Sequence, residues 1–339
     1  MADVPATFRA FVAERVGDRV ERGVRELGVE ELPPGEVLVR VDWSSVNYKD
    51  GLATRFDGKV ARINPLVPGV DLAGEVVASV DSSVRVGTSV IAHGYEIGVS
   101  RHGGYADYAR VPAEWTVPLP VGLSARDAMA IGTAGFTAAM SVAALETRGL
   151  VPSNGPVLVT GAAGGVGRTA LGILAARGYE VVAATGKPEE GDRLRALGAS
   201  EVIDRAEVVA DSPRPLDSGR WAGAIDAVGA PTLPYILRTL QTGAAVAACG
   251  NAGGAAFSTT VLPFILRGVA LLGMDSVTVP IADRRALWAR LATDYRPRGL
   301  GEDATEVTLD GLEPALDGVV AGQARGRWIV RVAADARPD

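Results

Sequence analysis

The sequence predicts an α/β protein: a β-rich first third, a doubly wound parallel sheet, and a short return segment that rejoins the first part. Three observations carry this. From about residue 8 to residue 120, short apolar runs are punctuated by Gly and Pro. From residue 156, strand-like and helix-like runs alternate. At the first strand-to-helix junction of that alternation stands the string Gly161-Ala162-Ala163-Gly164-Gly165-Val166-Gly167. A chain of 339 residues also exceeds the usual size of one hydrophobic core, so two domains are expected.

In order, the β-rich part predicts strands at residues 37–41, 74–80, 86–92 and 105–111. Ser124 reads as an N-cap, and the small, apolar run 128–144 as one or two helices. The alternation then predicts strands 157–160, 180–184, 201–203, 222–226, 244–248 and 269–274. Helices 165–177, 189–197, 233–240 and 261–266 fall between them. A helix at 283–293 and a strand at 326–332 are too little for a third domain. The expected division is therefore a first domain of residues 1–125, a dinucleotide-binding domain of 126–276, and a return segment of 277–339. The polar stretch 211–220 reads as a surface loop.

Composition excludes several function classes. A net charge of −6 opposes general nucleic-acid binding, which needs clustered Lys and Arg to displace counterions from phosphates. Cys249 is the one cysteine, so no intrachain disulfide is possible, and a reducing compartment, the cytoplasm, is expected. The N-terminus carries neither a basic leader nor an apolar core segment, and no run approaches about 18 uninterrupted apolar residues, so no membrane partner is expected. The only histidines are His93 and His102, and no Cys-x-x-Cys pair exists. Ser-His-Asp hydrolysis and metal chemistry need side chains that this sequence barely has, a Cys-rich zinc site is excluded, and no metal site is expected.

The glycine string predicts the cofactor class. Small residues let the backbone approach a diphosphate, which amides at the helix N-terminus then hold with the help of the helix dipole. Ala163, Gly164, Gly165 and Val166 are the candidate contacts. NAD-preferring sites place Asp or Glu at the end of the second strand for the ribose 2′-hydroxyl, whereas here it ends Ala184-Thr185-Gly186-Lys187. With no carboxylate there, and with Thr185, Gly186 and Lys187 able to receive a 2′-phosphate, NADPH is expected.

The order of these parts resembles the medium-chain dehydrogenase/reductase superfamily, in which a GroES-like β domain precedes a Rossmann domain and the chain end returns to the first. The landmarks are Pro68-Gly69-Val70-Asp71-Leu72-Ala73-Gly74-Glu75-Val76, Gly103-Gly104-Tyr105-Ala106-Asp107-Tyr108 and Gly132-Thr133-Ala134-Gly135-Phe136-Thr137-Ala138. Zinc alcohol dehydrogenases of that superfamily carry Cys, His and Cys where this chain has Asn47, Val70 and Thr133, which leaves the zinc-independent quinone-oxidoreductase and enoyl-reductase branches. Within them, Trp43-Ser44-Ser45-Val46-Asn47-Tyr48-Lys49-Asp50, residues 131–137, Trp221-Ala222-Gly223-Ala224-Ile225-Asp226 and Leu262-Pro263-Phe264-Ile265-Leu266-Arg267 are similar to the acrylyl-CoA reductase group.

That resemblance implies reduction of acryloyl-CoA to propanoyl-CoA by NADPH, with quinone or free-enal reduction, or non-catalytic NADPH binding, as alternatives. Two positions depart from the group: Lys187 where Arg is expected, and Asn251 where Leu is usual. The chemistry needs a hydride at the β-carbon, stabilisation of the enolate oxygen and a proton at the α-carbon. Tyr48 and Asn47 are the candidates beside the substrate, the phenol as donor and the amide as an orienting group, with a cofactor contact as the alternative role for Tyr48. Lys49 and Asp50 are candidates for an orienting pair or the proton source. Gly250, Asn251 and Ala252 follow the fifth sheet strand and are expected beside the nicotinamide. The resemblance adds Thr133, Thr137, Ser276 and Arg327 as cofactor contacts. Lys59 and Arg62 could meet CoA phosphates, but exposed loop cations are more often solvated, and the two are not assigned to the site. The resemblance implies a homodimer, for which the apolar strand at 269–274 could pair across a two-fold.

Overall fold

The computed structural model describes residues 4–209, 212, 214–302 and 304–333. Two compact units emerge. One comprises residues 1–133, 277–292 and 301–339, and the other residues 134–276 and 293–300. Residues 126–133, expected with the dinucleotide domain, thus fall in the first unit, and residues 293–300 of the return segment fall in the second.

The first unit opens on a hairpin of β1 (Thr7–Val16) and β2 (Arg19–Gly28). It continues through β3 (Val37–Ser45), α1 (Tyr48–Ala53), β4 (Asp71–Ser79), β5 (Ser89–His93), β6 (Tyr108–Val111) and β7 (Thr116–Pro118). Helix α2 (Ala125–Thr147) is broken at Gly132, with φ 53° and ψ −164°, where the chain leaves this unit. Although α2 is long and apolar enough to cross a membrane, 72% of its most apolar stretch is buried inside the protein, so it is a core helix.

The second unit alternates β8 (Val157–Thr160), α3 (Gly165–Ala176), β9 (Val181–Thr185), α4 (Gly191–Leu197), β10 (Glu201–Asp204) and β11 (Gly223–Asp226). Then come α5 (Thr232–Thr239), β12 (Ala245–Ala248), α6 (Leu262–Arg267) and β13 (Ala270–Gly273). Its six strands are parallel in the order β10-β9-β8-β11-β12-β13, the doubly wound order expected, with the reversal between β8 and β11. Of the stretch expected as a surface loop, Asp211 and Pro213 lie outside the described residues. Asp217 within it is tied to Arg238 of α5 by a 2.7 Å ion pair.

The chain end adds α7 (Ile281–Leu291), β14 (Ala304–Thr308), α8 (Leu312–Val320) and β15 (Arg327–Arg331) to the first unit. Strand β15 pairs antiparallel with β3, which closes a seven-stranded sheet, β14-β15-β3-β4-β5-β7 with β6 also on β3. Return of the chain end was expected; β14 and α8 were not. The signal of β14 is weak because it turns mostly polar side chains outward, whereas α8 buries Leu312, Ala315 and Leu316 at helical spacing. The core beneath the sheet includes Phe11, Val39, Leu72, Val76, Leu316 and Val330, all buried. Each large apolar side chain there contributes on the order of 1.5–3 kcal/mol.

Candidate active site

In the first unit β3 runs into α1 through Val46 and Asn47, and the Val46 amide donates to the Trp328 carbonyl. Asn47 is extended, at φ −120° and ψ 155°, and caps α1. Asp50, three residues on, accepts from the Asn47 amide at 2.9 Å, which satisfies a donor that the helix start leaves open. Its other oxygen accepts from the amides of Gly69 and Val70 at 3.1 and 2.9 Å. One carboxylate therefore staples the first turn of α1 to the chain entering β4.

Asp71 is the second buried carboxylate of this centre. It accepts from the Ser45 amide at 3.0 Å, the Ser45 hydroxyl at 2.8 Å, the Asn47 side-chain amide at 2.9 Å and the Thr133 backbone amide at 2.8 Å. Arg327 closes the network by donating to the Ala130 carbonyl at 3.1 Å, Asn47 Oδ1 at 3.3 Å and Ser45 Oγ at 2.7 Å. Gly132 is required here, because a Cβ would lie 2.5 Å from Arg327 Nη2 and 2.6 Å from Ser45 Oγ. The Tyr105 hydroxyl donates to the Ser45 carbonyl at 3.1 Å.

Burial, reinforced by the charge of Asp71, pushes the Asp50 carboxyl up to about 7, against the pull of the Asn47 and Val70 amides. Burial also drives the Tyr105 phenol well above its ordinary range, helped by both carboxylates. It depresses the Arg327 guanidinium, which Asp71 and Asp50 partly restore.

This geometry corrects several expectations. Lys49 and Asp50 form no orienting pair: Lys49 is exposed, whereas Asp50 is fully buried with its oxygens turned to backbone amides. Asn47 is not an available amide, since its Nδ2 is committed to Asp71 and Ser45 and its Oδ1 receives Arg327. Arg327, expected at the cofactor, is buried and spends three nitrogens inside the protein. Of residues 47–50, Tyr48 and Lys49 are exposed, Tyr48 to 43%.

Zinc does not fit this centre. Asn47 and the Thr133 amide point their hydrogens at Asp71, Val70 offers no ligand, and the described residues contain no group of three or more His, Cys, Asp or Glu arranged to hold a metal. His93 is instead a buried partner of Arg284 and Trp288, with burial holding it well below the ordinary imidazole range.

In the second unit, β8 ends at the glycine turn. Gly161 takes φ 59°, the Gly164 amide donates to its carbonyl at 2.9 Å, and α3 begins at Gly165. Gly167 is forced by close approach, since a Cβ would stand 2.5 Å from the Gly161 carbonyl oxygen. Gly164, by contrast, is exposed, and a Cβ there would meet only that carbonyl. The open N-terminus of a twelve-residue helix framed by glycines fits a diphosphate.

At the end of β9, Thr185 Oγ1 accepts from the Lys187 amide at 3.1 Å. A Cβ on Gly186 would lie 2.6 to 3.0 Å from the Arg205 side chain, so the guanidinium of Arg205 lies across this glycine. Arg205 is exposed and has no carboxylate partner among the described residues. The acidic neighbour Asp204 is occupied in accepting from the Ala206 amide. Sequence reasoning missed Arg205; its signal is its place immediately after the third strand, beside the end of the second. Gly250 and Asn251 follow β12, and Gly250 packs where a Cβ would strike the Ala227 carbonyl at 2.3 Å. Thr137 and Ser276 are joined hydroxyl to hydroxyl at 2.9 Å.

Comparison with known proteins gives the family. Residues 33–121 match the alcohol dehydrogenase GroES-like domain, and residues 165–293 the zinc-binding dehydrogenase family. The chain is 47% identical over 327 residues to acrylyl-CoA reductase AcuI of Ruegeria pomeroyi, covering 96% of this chain and 99% of that protein. The structure of the YhdH oxidoreductase of Salmonella enterica in complex with NADP is 45% identical with a TM-score of 0.93, covering 96% of this chain and 100% of that one. YhfP of Bacillus subtilis with NAD bound is 47% identical with a TM-score of 0.94 over the same shares. This chain therefore belongs to the medium-chain dehydrogenase/reductase superfamily, in its acrylyl-CoA reductase group.

Proposed function

We propose that this protein uses NADPH to reduce the activated C=C bond of a short 2-enoyl-CoA, acryloyl-CoA to propanoyl-CoA first among them. The observation that carries the reading is the exposed Tyr48 phenol on a helix start pinned by Asp50 and Asp71, in a chain 47% identical to an acrylyl-CoA reductase along nearly its whole length. A phenol carried on a fixed helix start is a donor for charge that develops on a thioester oxygen.

NADPH supplies the hydride when bound. The turn from Ala163 to Val166 would hold its diphosphate, Thr185, Gly186, Lys187 and Arg205 would receive the 2′-phosphate, and Gly250 and Asn251 would lie beside the nicotinamide. Tyr48 donates to the thioester oxygen as the enolate forms, and the α-carbon is then protonated through Tyr48 or solvent. Asn47, Asp50, Asp71 and Arg327 keep that donor in place.

Lys187→Glu and Arg205→Glu each remove a cation from the 2′-phosphate position. Each is expected to raise KM for NADPH by about 10- to 100-fold, on the scale of a charge-assisted hydrogen bond, with a much smaller change for NADH. Equal losses for both cofactors would remove these residues from that role.

The protein also pairs with a second copy through β13. That strand lies at the sheet edge with Leu271 partly exposed, and α6 beside it exposes Ile265 and Leu266. Light scattering is expected to give twice the 35.0 kDa chain mass, and a monomer would overturn the pairing. A single, partly buried thiol at Cys249 suits a reducing cytoplasm.

NADPH oxidation with acryloyl-CoA, crotonyl-CoA and a benzoquinone tests the function. The expected order of kcat/KM places acryloyl-CoA first. A strong quinone preference without thioester turnover would overturn it.

A further inference from the structure

The chain contains 34 Lys and Arg residues, and only three are lysines: Lys49, Lys59 and Lys187. A sequence that otherwise uses Arg for its cations keeps Lys at the 2′-phosphate position and at two positions flanking α1. Lys49 lies on the first turn of α1, and Lys59 just beyond its last. The loop between them is folded tightly onto the helix, since a Cβ on Gly58 would overlap the Leu52 carbonyl. Lys59 itself adopts φ 55°, a left-handed conformation that costs a non-glycine residue on the order of 1 kcal/mol or more. Arg62 follows, exposed, with its amide held by the Val99 carbonyl at 2.8 Å.

Charge pairing separates these cations from their neighbours. Arg55 is engaged with Asp57 at 3.1 Å, and Arg22 with Asp317 at 2.8 Å. Lys49, Lys59 and Arg62 are exposed and have no carboxylate partner among the described residues. Between Lys49 and Lys59 stands Phe56, 47% exposed, with the Arg15 guanidinium 4.4 Å from its ring centre. Phe56 lines a groove of about 390 Å³ with Val20, Thr54 and those two ion pairs. Arg15 lies over one face of Phe56, and Lys49, Lys59 and Arg62 stand outside the groove lining. A half-exposed ring and unpaired cations on one loop are the groups that receive a phosphorylated nucleotide: a ring stacks on the base, and a flexible ammonium meets phosphate as a point charge.

We propose that this loop binds the nucleotide end of the CoA substrate, with Phe56 against the adenine and Lys59 and Arg62 on the phosphates. The inference rests on the enoyl-CoA reading above. Helix α1 then links the two ends of one ligand: Tyr48 at its start serves the thioester, and the loop at its other end, about 9 Å on by helical rise, serves the nucleotide. The pantetheine arm is long enough to bridge them. The same loop would favour CoA thioesters over short thioesters of equal reactivity.

The test compares acryloyl-CoA with S-acryloyl-N-acetylcysteamine, which carries the reacting group without the nucleotide. In the wild type, kcat/KM is expected to favour the CoA thioester by about 100-fold or more, and the ratio to shrink as salt screens the phosphates. Lys59→Ala combined with Arg62→Ala is expected to lower that ratio at least about tenfold through KM for acryloyl-CoA, and Phe56→Ala to lower it further. A wild-type ratio near one, or a salt-insensitive ratio unchanged in the variants, would overturn the nucleotide site while leaving thioester reduction intact. Failure of the wild type to reduce either thioester would instead overturn the function itself.

Discussion

Tyr48→Phe is expected to lower kcat for acryloyl-CoA by about 10²- to 10³-fold, the cost of deleting one prearranged donor to a developing oxyanion. NADPH affinity, measured by fluorescence titration, should change by less than about threefold, because binding and turnover draw on different atoms. The argument is geometric. Tyr48 and Lys49 are the exposed members of the 47–50 string, whereas Asn47 and Asp50 are consumed in fixing the turn that carries them. Unchanged turnover would remove the phenol from the chemistry, and a large loss of NADPH affinity with preserved kcat would make it a cofactor contact.

The second large effect is on stability. Asp71→Ala deletes the common acceptor of Ser45, Asn47 and Thr133 and leaves the buried Arg327 beside a neutral hole. Loss of one partner from such a network costs about 3–5 kcal/mol, which urea denaturation would register as a markedly lower midpoint. A change below about 1 kcal/mol would show that Asp71 is not the centre of the network. Asp50 adds a pH signature of opposite sign to an ordinary ion-paired carboxylate. Its folded carboxyl sits at about 7 against an ordinary 3.8, so between those values the folded chain holds a proton that the unfolded chain has released. Its contribution is fully present below the lower value and is lost as pH rises through about 7. Asp50→Asn should therefore shrink the fall in stability between pH 5 and pH 8, and an undiminished fall would assign it to other groups.

Much of this was legible because it repeats along the chain. The parallel sheet announces itself through alternating runs, and the glycine turn through a local string whose spacing is dictated by backbone approach, as Gly167 shows. What escaped was held together across the sequence. Asp71 stands within the landmark Pro68–Val76, but nothing local says that Ser45, Thr133 and Arg327 converge around it from three distant segments. The internal role of Arg327 escaped for the same reason: an Arg before a terminal strand reads as a surface charge or a ligand contact, and only the tertiary fold shows it buried among Ser45, Asn47 and Ala130. Lys49 and Asp50 are adjacent in sequence yet point apart, because one faces solvent from the helix and the other staples its first turn. Arg205 escaped because its meaning depends on lying beside Gly186 of the neighbouring strand.

The most direct test of the enoyl-reductase assignment uses NADPH carrying deuterium at its hydride position, with acryloyl-CoA in ordinary water, followed by mass spectrometry and NMR of the thioester. The mechanism predicts propanoyl-CoA with one deuterium on the β-carbon and a solvent hydrogen on the α-carbon, in a one-to-one ratio with NADPH consumed. Recovery of unreduced acryloyl-CoA while a quinone consumes the same NADPH, or deuterium on the α-carbon, would contradict it.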